Sequence, residues 1–208
     1  MMNNNLDVNK ISAEVITDLA KTTAQTLYQK VRDYVTDIQK KEEIDFGYAY
    51  ENYLKYAKTT HEKMKTLLYR HAAKDIYSFY ECVGLNRNED IIDTADINNV
   101  LEIGNKIIVT GTGGSGKSVM MKHFFLNILE TTHYVPVLIE LRGLNEYDEK
   151  GINLEEYIYE VMGTLKFKIE RKYFEYSLET GCYVILLDGF DEVKNEISNS
   201  VTNQIVAM

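Results

Sequence analysis

Lys106-Ile107-Ile108-Val109-Thr110-Gly111-Thr112-Gly113-Gly114-Ser115-Gly116-Lys117-Ser118 is the stretch on which the reading of this chain turns. Its opening residues, Lys106 to Thr110, are the apolar, β-branched run of a short buried strand. From Gly111 to Ser118 the spacing is G-x-x-x-x-G-K-[ST]. A polyphosphate has to be wrapped by backbone N–H groups that point inward, and glycines at 113, 114 and 116 permit both the backbone angles and the close approach. A helix beginning near Lys117 would aim its positive end at the anion. Lys117 would reach the terminal phosphates, and the Ser118 hydroxyl would ligate Mg²⁺. At average composition the pattern arises by chance in roughly one chain of this length per hundred, so its context decides. The context required is a strand before and a helix after. Ile107-Ile108-Val109 supplies the first, and the spacing of Met121, Phe124, Phe125, Ile128 and Leu129 supplies the second.

A second stretch completes the chemistry: Val184-Ile185-Leu186-Leu187-Asp188-Gly189-Phe190-Asp191-Glu192. Ligands of parallel sheets bind at the carboxyl ends of strands, and an apolar strand here ends in an aspartate. Asp188 is therefore expected to hold Mg²⁺, directly or through water. Asp191 and Glu192 follow at the strand's mouth, where one of them would take a proton from the attacking water or orient it. Taken alone, this string also reads as a strand followed by a solvated acidic turn.

Outward from these motifs the second half alternates short strands with amphipathic helices, the pattern of a mostly parallel α/β sheet. Strands are expected at Lys106–Thr110, Tyr134–Leu141 and Tyr183–Leu187, and helices at Lys117–Leu129 and twice within Asn153–Glu179. Asn153 and Glu156 have the spacing of an N-cap and its capping-box partner, and Gly181 stands where a helix should stop. Val193, Ile197, Val201 and Ile205 mark a last helix.

The first third reads as helix. Ile11, Val15, Leu19, Leu27, Val31, Val35 and Ile38 fall on one face. A second helix over about 45–68 would bury Tyr50, Tyr53, Leu54, Ala57, Met64, Leu67 and Leu68. Its tyrosines read as core and half-buried rings with wet hydroxyls rather than as a stacking surface. Ile76 to Leu85 reads as a short strand or turn. The polar run Asn86 to Asp90 sets a boundary, giving an N-terminal helical region over 1–90 and an α/β region over 91–208.

The chain has 208 residues, 45% of them apolar, with a net charge of −9 and a pI near 5.0. That supports a packed core and disfavours a broad nucleic-acid face, leaving room for a local basic patch. No apolar run approaches the roughly 20 residues needed to span a bilayer. The N-terminus lacks the charged-then-apolar order of a secretory signal, so the cytoplasm is expected. Cys82 and Cys182 read as reduced thiols, and the four histidines as surface or half-buried residues without metal-ligand spacing.

The string Leu187-Asp188-Gly189-Phe190-Asp191-Glu192 is similar to the acidic box of the NACHT family of signalling ATPases. Val135 to Arg142 resembles that family's second strand. Tyr53-Leu54 through Arg70 resembles, more weakly, the helical region that precedes NACHT modules in bacterial proteins. The resemblance covers roughly residues 45–208. It implies a P-loop NTPase sheet of which three core strands are present and strand 4 is missing, since the family continues beyond the point where this chain stops. It implies ATP/ADP and Mg²⁺ as cofactors, with Gly111, Thr112, Gly113, Gly114, Ser115, Gly116, Lys117 and Ser118 on the nucleotide. Ser118 and Asp188 would then hold the metal, and Asp191 or Glu192 would act as hydrolytic base. It further implies self-oligomerisation of the full-length protein and, for bacterial members, anti-phage defence. The implied strand order is 5-1-4-3-2, so Tyr134–Leu141 and Tyr183–Leu187 should pair in parallel, with Pro136 on an edge. Lys106–Thr110 should make no direct ladder with Tyr183–Leu187. A sensor cation is not found within the 208 residues, so turnover near background is expected. The alternatives are a small P-loop kinase, disfavoured because no arginine follows Glu192, and a non-hydrolysing interaction module whose helices bind a partner.

Overall fold

The computed structural model describes residues 13–32, 40–66, 71–147 and 151–208. Two helices, α1 (Ala13–Arg32) and α2 (Lys40–His61), lead into two small antiparallel pairs. β1 (Lys63–Met64) pairs with β2 (Lys74–Asp75), and β3 (Leu85–Arg87) with β4 (Asp90–Ile92). The short α3 (Ile97–Leu101) precedes α4 (Lys117–Thr131), β5 (Val135–Glu140), α5 (Leu154–Thr164), α6 (Arg171–Glu179), β6 (Tyr183–Asp188) and α7 (Asn195–Ala207). Among the described residues no helix is long and apolar enough to cross a membrane.

β5 and β6 form a parallel pair in continuous register from Val135↔Tyr183 to Glu140↔Asp188. This is the pairing expected between the second and third strands. Pro136 costs the ladder nothing, because β5 pairs with β6 alone and the Pro136 carbonyl accepts from the Tyr53 hydroxyl at 2.8 Å. α4 lies across both strands. Lys106–Thr110 departs from the three-strand expectation. It joins no ladder, although its side chains alternate as a strand's do. Ile107 and Val109 turn towards Met120, Phe124 and Ile128 of α4, whereas Ile108 is 89% exposed. Val135 to Ile139 of β5 are buried, but all six residues of β6 are only half-buried, and among the described residues β6 pairs with β5 alone.

The N-terminal helices share the main core with this sheet. Tyr50, Tyr53, Leu54 and Ala57 lie at 0% exposure on one face of α2, as their spacing predicts. Their hydroxyls, expected to be wet, are instead bonded within the protein. Tyr50 Oη lies 2.9 Å from both Ser177 Oγ and Tyr183 Oη, which is how a phenol is kept in a close-packed interior. Of the residues assigned to helix faces, Ile11, Val35, Ile38, Leu67 and Leu68 lie outside the described residues, as do the side chains of Leu27 and Val31. Ile76 to Leu85 is a 3₁₀ turn, Ile76–Ser78, then irregular chain up to the first residue of β3, and the polar run at 86–90 is the tip of the β3–β4 hairpin, turning at Asn88-Glu89. The N-cap half of the expectation at Asn153 is met: its side chain accepts from the Glu156 N–H at 2.9 Å. The Glu156 carboxylate itself pairs with Arg171. α7 buries Ile197 and Val201, with Val193 just before it.

His123 corrects the reading of the histidines as surface or half-buried. α4 is enclosed on nearly every side, and His123 is fully buried on it. Nε2 lies 2.7 Å from the Thr94 carbonyl, so this nitrogen carries the proton and donates. Nδ1 then accepts from the Tyr77 hydroxyl at 2.9 Å. Both polar ends of the ring are satisfied, and the neutral form fits the site. Burial accordingly holds its pKa below the usual value. His61, packed edge-on at 4.7 Å from Phe125, is pushed down to about 4 by burial and then by the Lys122 ammonium. Unfolding frees both rings to titrate near 6.5, so between that pH and about 4 the unfolded chain binds more protons and stability falls as pH falls. The urea midpoint is therefore expected to correspond to about 2 kcal/mol less stability at pH 5 than at pH 7. His61→Phe should remove most of that difference, and an unchanged difference in this variant would assign it elsewhere.

Candidate phosphate-binding site

Gly111 to Gly116 forms an exposed turn closed by a hydrogen bond from the Ser115 N–H to the Thr112 carbonyl at 3.2 Å. Gly114 (φ 77°) and Gly116 (φ 91°) take left-handed conformations that residues with a Cβ rarely adopt. Gly116 is the N-cap of α4 and offers no side chain to its first turn, and no acidic residue stands in that turn. The positive end of a helix of 15 residues is thus left without a side-chain cap, with Lys117 added to it. Both Lys117 and Ser118 are half-buried. Lys117 makes its hydrogen bonds within the loop, donating from Nζ to the carbonyls of Gly111 at 2.9 Å and Thr112 at 3.1 Å. Gly111 is close to the loop's other limb: a Cβ there would stand 2.9 Å from Ser115 Oγ.

The acidic residues lie at the carboxyl ends of the parallel strands. Asp188, half-buried, is in register beside Glu140. Lys122, one helical turn beyond Ser118 on α4, links the two motifs. Burial lowers its pKa, and the carboxylates of Glu140 and Asp188 oppose that shift. The helix that starts at the glycine loop packs on both strands. Beyond Asp188, Gly189 (φ 76°) turns the chain into a 3₁₀ turn, Phe190–Glu192, on which Asp191 and Glu192 are exposed. Glu192 folds back over Gly189, where an added Cβ would lie 3.6 Å from Glu192 Oε1.

Three residues that sequence reasoning did not single out join this mouth. Arg142 bridges Glu140 at 2.8 Å and Glu192 at 3.9 Å. Asn145 donates from Nδ2 to the Glu192 carbonyl and accepts from the Lys194 N–H, each at 2.8 Å. Lys194 Nζ in turn donates to the Asn145 carbonyl at 2.9 Å. The turn after β5, Leu141–Glu146, is thus latched to the turn after β6. The signal that could have found Glu140 and Arg142 is the one that found Asp188: polar residues at the carboxyl end of a parallel strand.

No family model, curated protein or solved structure matches this chain.

The donor set can be weighed on its own chemistry. Mg²⁺ prefers oxygen ligands, keeps several waters, and is commonly held by one or two protein groups together with phosphate oxygens. Ser118 and Asp188 fit that demand. Among the described residues no group of three or more His, Cys, Asp or Glu could hold a metal by itself, so phosphate oxygens would have to complete the shell. The latch gives a local test. Asn145→Ala removes the acceptor of the Lys194 N–H and the donor to the Glu192 carbonyl, and should cost about 1 kcal/mol in thermal or urea unfolding. Amide exchange should quicken at Lys194 while the β6 amides keep their protection. Unchanged exchange at Lys194 would show that the turns hold their positions without it.

Proposed function

We propose that the chain binds ATP or ADP with Mg²⁺ through a phosphate loop at Gly111–Ser118. One observation carries the reading. A glycine turn with two left-handed residues opens directly into α4, whose first turn has a lysine and neither an acidic residue nor a side-chain cap. The phosphates would lie against the N–H groups of Gly113 to Ser118 at the positive end of the helix. Lys117, now bonded to the two loop carbonyls, would exchange them for phosphate oxygens. Mg²⁺ would sit between the Ser118 hydroxyl, Asp188 and the phosphates and neutralise their charge. Asp191 or Glu192 would orient the attacking water or accept its proton.

In this reading the fold is part of a P-loop NTPase sheet, and the protein is a NACHT-type switch ATPase of the cytoplasm that assembles with copies of itself and serves antiviral defence. The strings at 135–142 and 187–192, with the parallel pairing of β5 and β6, support it.

Isothermal titration of the full chain with ATP and with ADP, each with Mg²⁺, should show saturable binding. Lys117→Ala should weaken it about ten-fold or more, since a charge-assisted contact to phosphate contributes about 1.5–3 kcal/mol. Asp188→Ala should reduce the Mg²⁺ dependence of that affinity. Equal affinity in wild type and Lys117→Ala would overturn the assignment.

A further inference from the structure

The outer face of α2 carries a basic depression that the phosphate loop does not use. It has a volume of about 460 Å³ and is lined by Asn52, Lys55, Tyr56, Thr59, Lys166 and Lys168. Three lysines and no carboxylate line it, in a chain whose net charge is −9. Local packing brings them together. Asn52, Lys55, Tyr56 and Thr59 recur at threes and ones along α2, which places them on one stripe opposite its buried face. α5 then ends with Lys166 in a left-handed conformation, φ 71°. The Lys166 N–H bonds to the Gly163 carbonyl and the Phe167 N–H to the Met162 carbonyl, each at 3.1 Å, which is the Schellman closure of a helix. The chain leaves α5 extended. Phe167 and Ile169 point inward, with Phe167 against Tyr50 and Tyr53, so Lys166 and Lys168 must point outward beside the α2 stripe.

Two details favour a site over scattered surface charge. Lys166 stands at the helix-closing position where glycine is the comfortable residue, so the backbone bears a strain that a lysine does not relieve. Its ammonium is held 5.5 Å from the centre of the Tyr56 ring, on the side facing the depression. Against this, Lys55 already pairs with Glu51, so Lys166 and Lys168 supply most of the free positive potential.

We propose that this depression is an anion site for a ligand bearing two or more clustered phosphate groups, separate from the phosphate loop and independent of the nucleotide reading. Lys166 and Lys168 would take the phosphates, with Asn52 donating a hydrogen bond from α2; the Thr59 hydroxyl is already given to the Lys55 carbonyl at 3.0 Å. The chemistry is shared by soluble polyphosphates and by phosphorylated lipid headgroups, and the test separates them.

The full chain carrying Lys117→Ala, which weakens the phosphate loop, is titrated calorimetrically with tripolyphosphate. One site is expected, tighter at low ionic strength. Adding Lys166→Glu with Lys168→Glu should weaken it about ten-fold or more. Both side chains are exposed, so circular dichroism should be unchanged. Lys166→Gly supplies the second arm: it relieves the left-handed residue and should raise Tm while still weakening tripolyphosphate several-fold, a pair of effects that a purely structural lysine would not produce. Co-sedimentation with phosphatidylcholine vesicles doped with a phosphoinositide, without binding of free tripolyphosphate, would assign the ligand to a headgroup. No binding of either probe, or binding unaffected by the double charge reversal, would overturn the proposal.

Discussion

The register of β5 on β6 is the constraint from which the rest of the arrangement follows. It brings Glu140 level with Asp188, and so puts two carboxylates side by side at one end of the sheet. Like charges so placed favour a cation beside them, and Arg142 bridges Glu140 at 2.8 Å. A slip of one residue would turn the inward face of the slipped strand outward and separate the acids. The register is held against that slip by burial of Val135 to Ile139 and by α4 lying across both strands. α4 in turn fixes where the glycine loop can be, since the loop is its N-terminal approach. Chemistry at the strand ends and chemistry at the loop are thus positioned by one packing contact.

That contact is secured from the far side by α2. Tyr53 supplies the hydrogen bond that Pro136 would otherwise lack, and Tyr50 ties the start of β6 to α6 through Tyr183 and Ser177. Unpaired polar atoms in such an interior would each cost about 1–3 kcal/mol, so these phenols are fastened rather than merely packed. They also explain why the N-terminal helices and the sheet share a core despite the change in composition near residue 90. A boundary read from composition and periodicity marks a change in element type. It does not report whether the two regions bury their apolar faces against each other.

What was legible in the sequence follows the same division. Local features could be read: the glycine turn opening α4, the Asn153 cap, the stop at Gly181 (φ 69°) and the apolar faces of α2, α4 and α7. Each depends on residues a few positions apart. The parallel pairing of β5 with β6 was also expected, though through resemblance rather than through periodicity, since an apolar run does not name its neighbour. The burial of His123 could not be read, because its partners Tyr77 and Thr94 reach it from 46 and 29 residues away. Nor could the Arg142 and Asn145 contacts, which join turns after two different strands. Lys166 illustrates the limit well: nothing in its neighbours announces a left-handed lysine, and only the closure of α5 onto Phe167 explains it.

The segment 106–110 shows how local pattern and long-range pairing can part company. Its alternation is that of a strand, and its inward residues Ile107 and Val109 gain the burial that such a pattern is built to gain. The ladder is a separate contribution, and it requires an extended neighbour at about 4.8 Å on at least one side. Among the described residues β6 has such a neighbour only in β5, and its six residues are half-buried. Ile108, between Ile107 and Val109, points the other way and is 89% exposed. The backbone leading into Gly111 is consequently held by side-chain packing on α4 and not by a ladder, which ties the loop's position to the packing of Met120, Phe124 and Ile128.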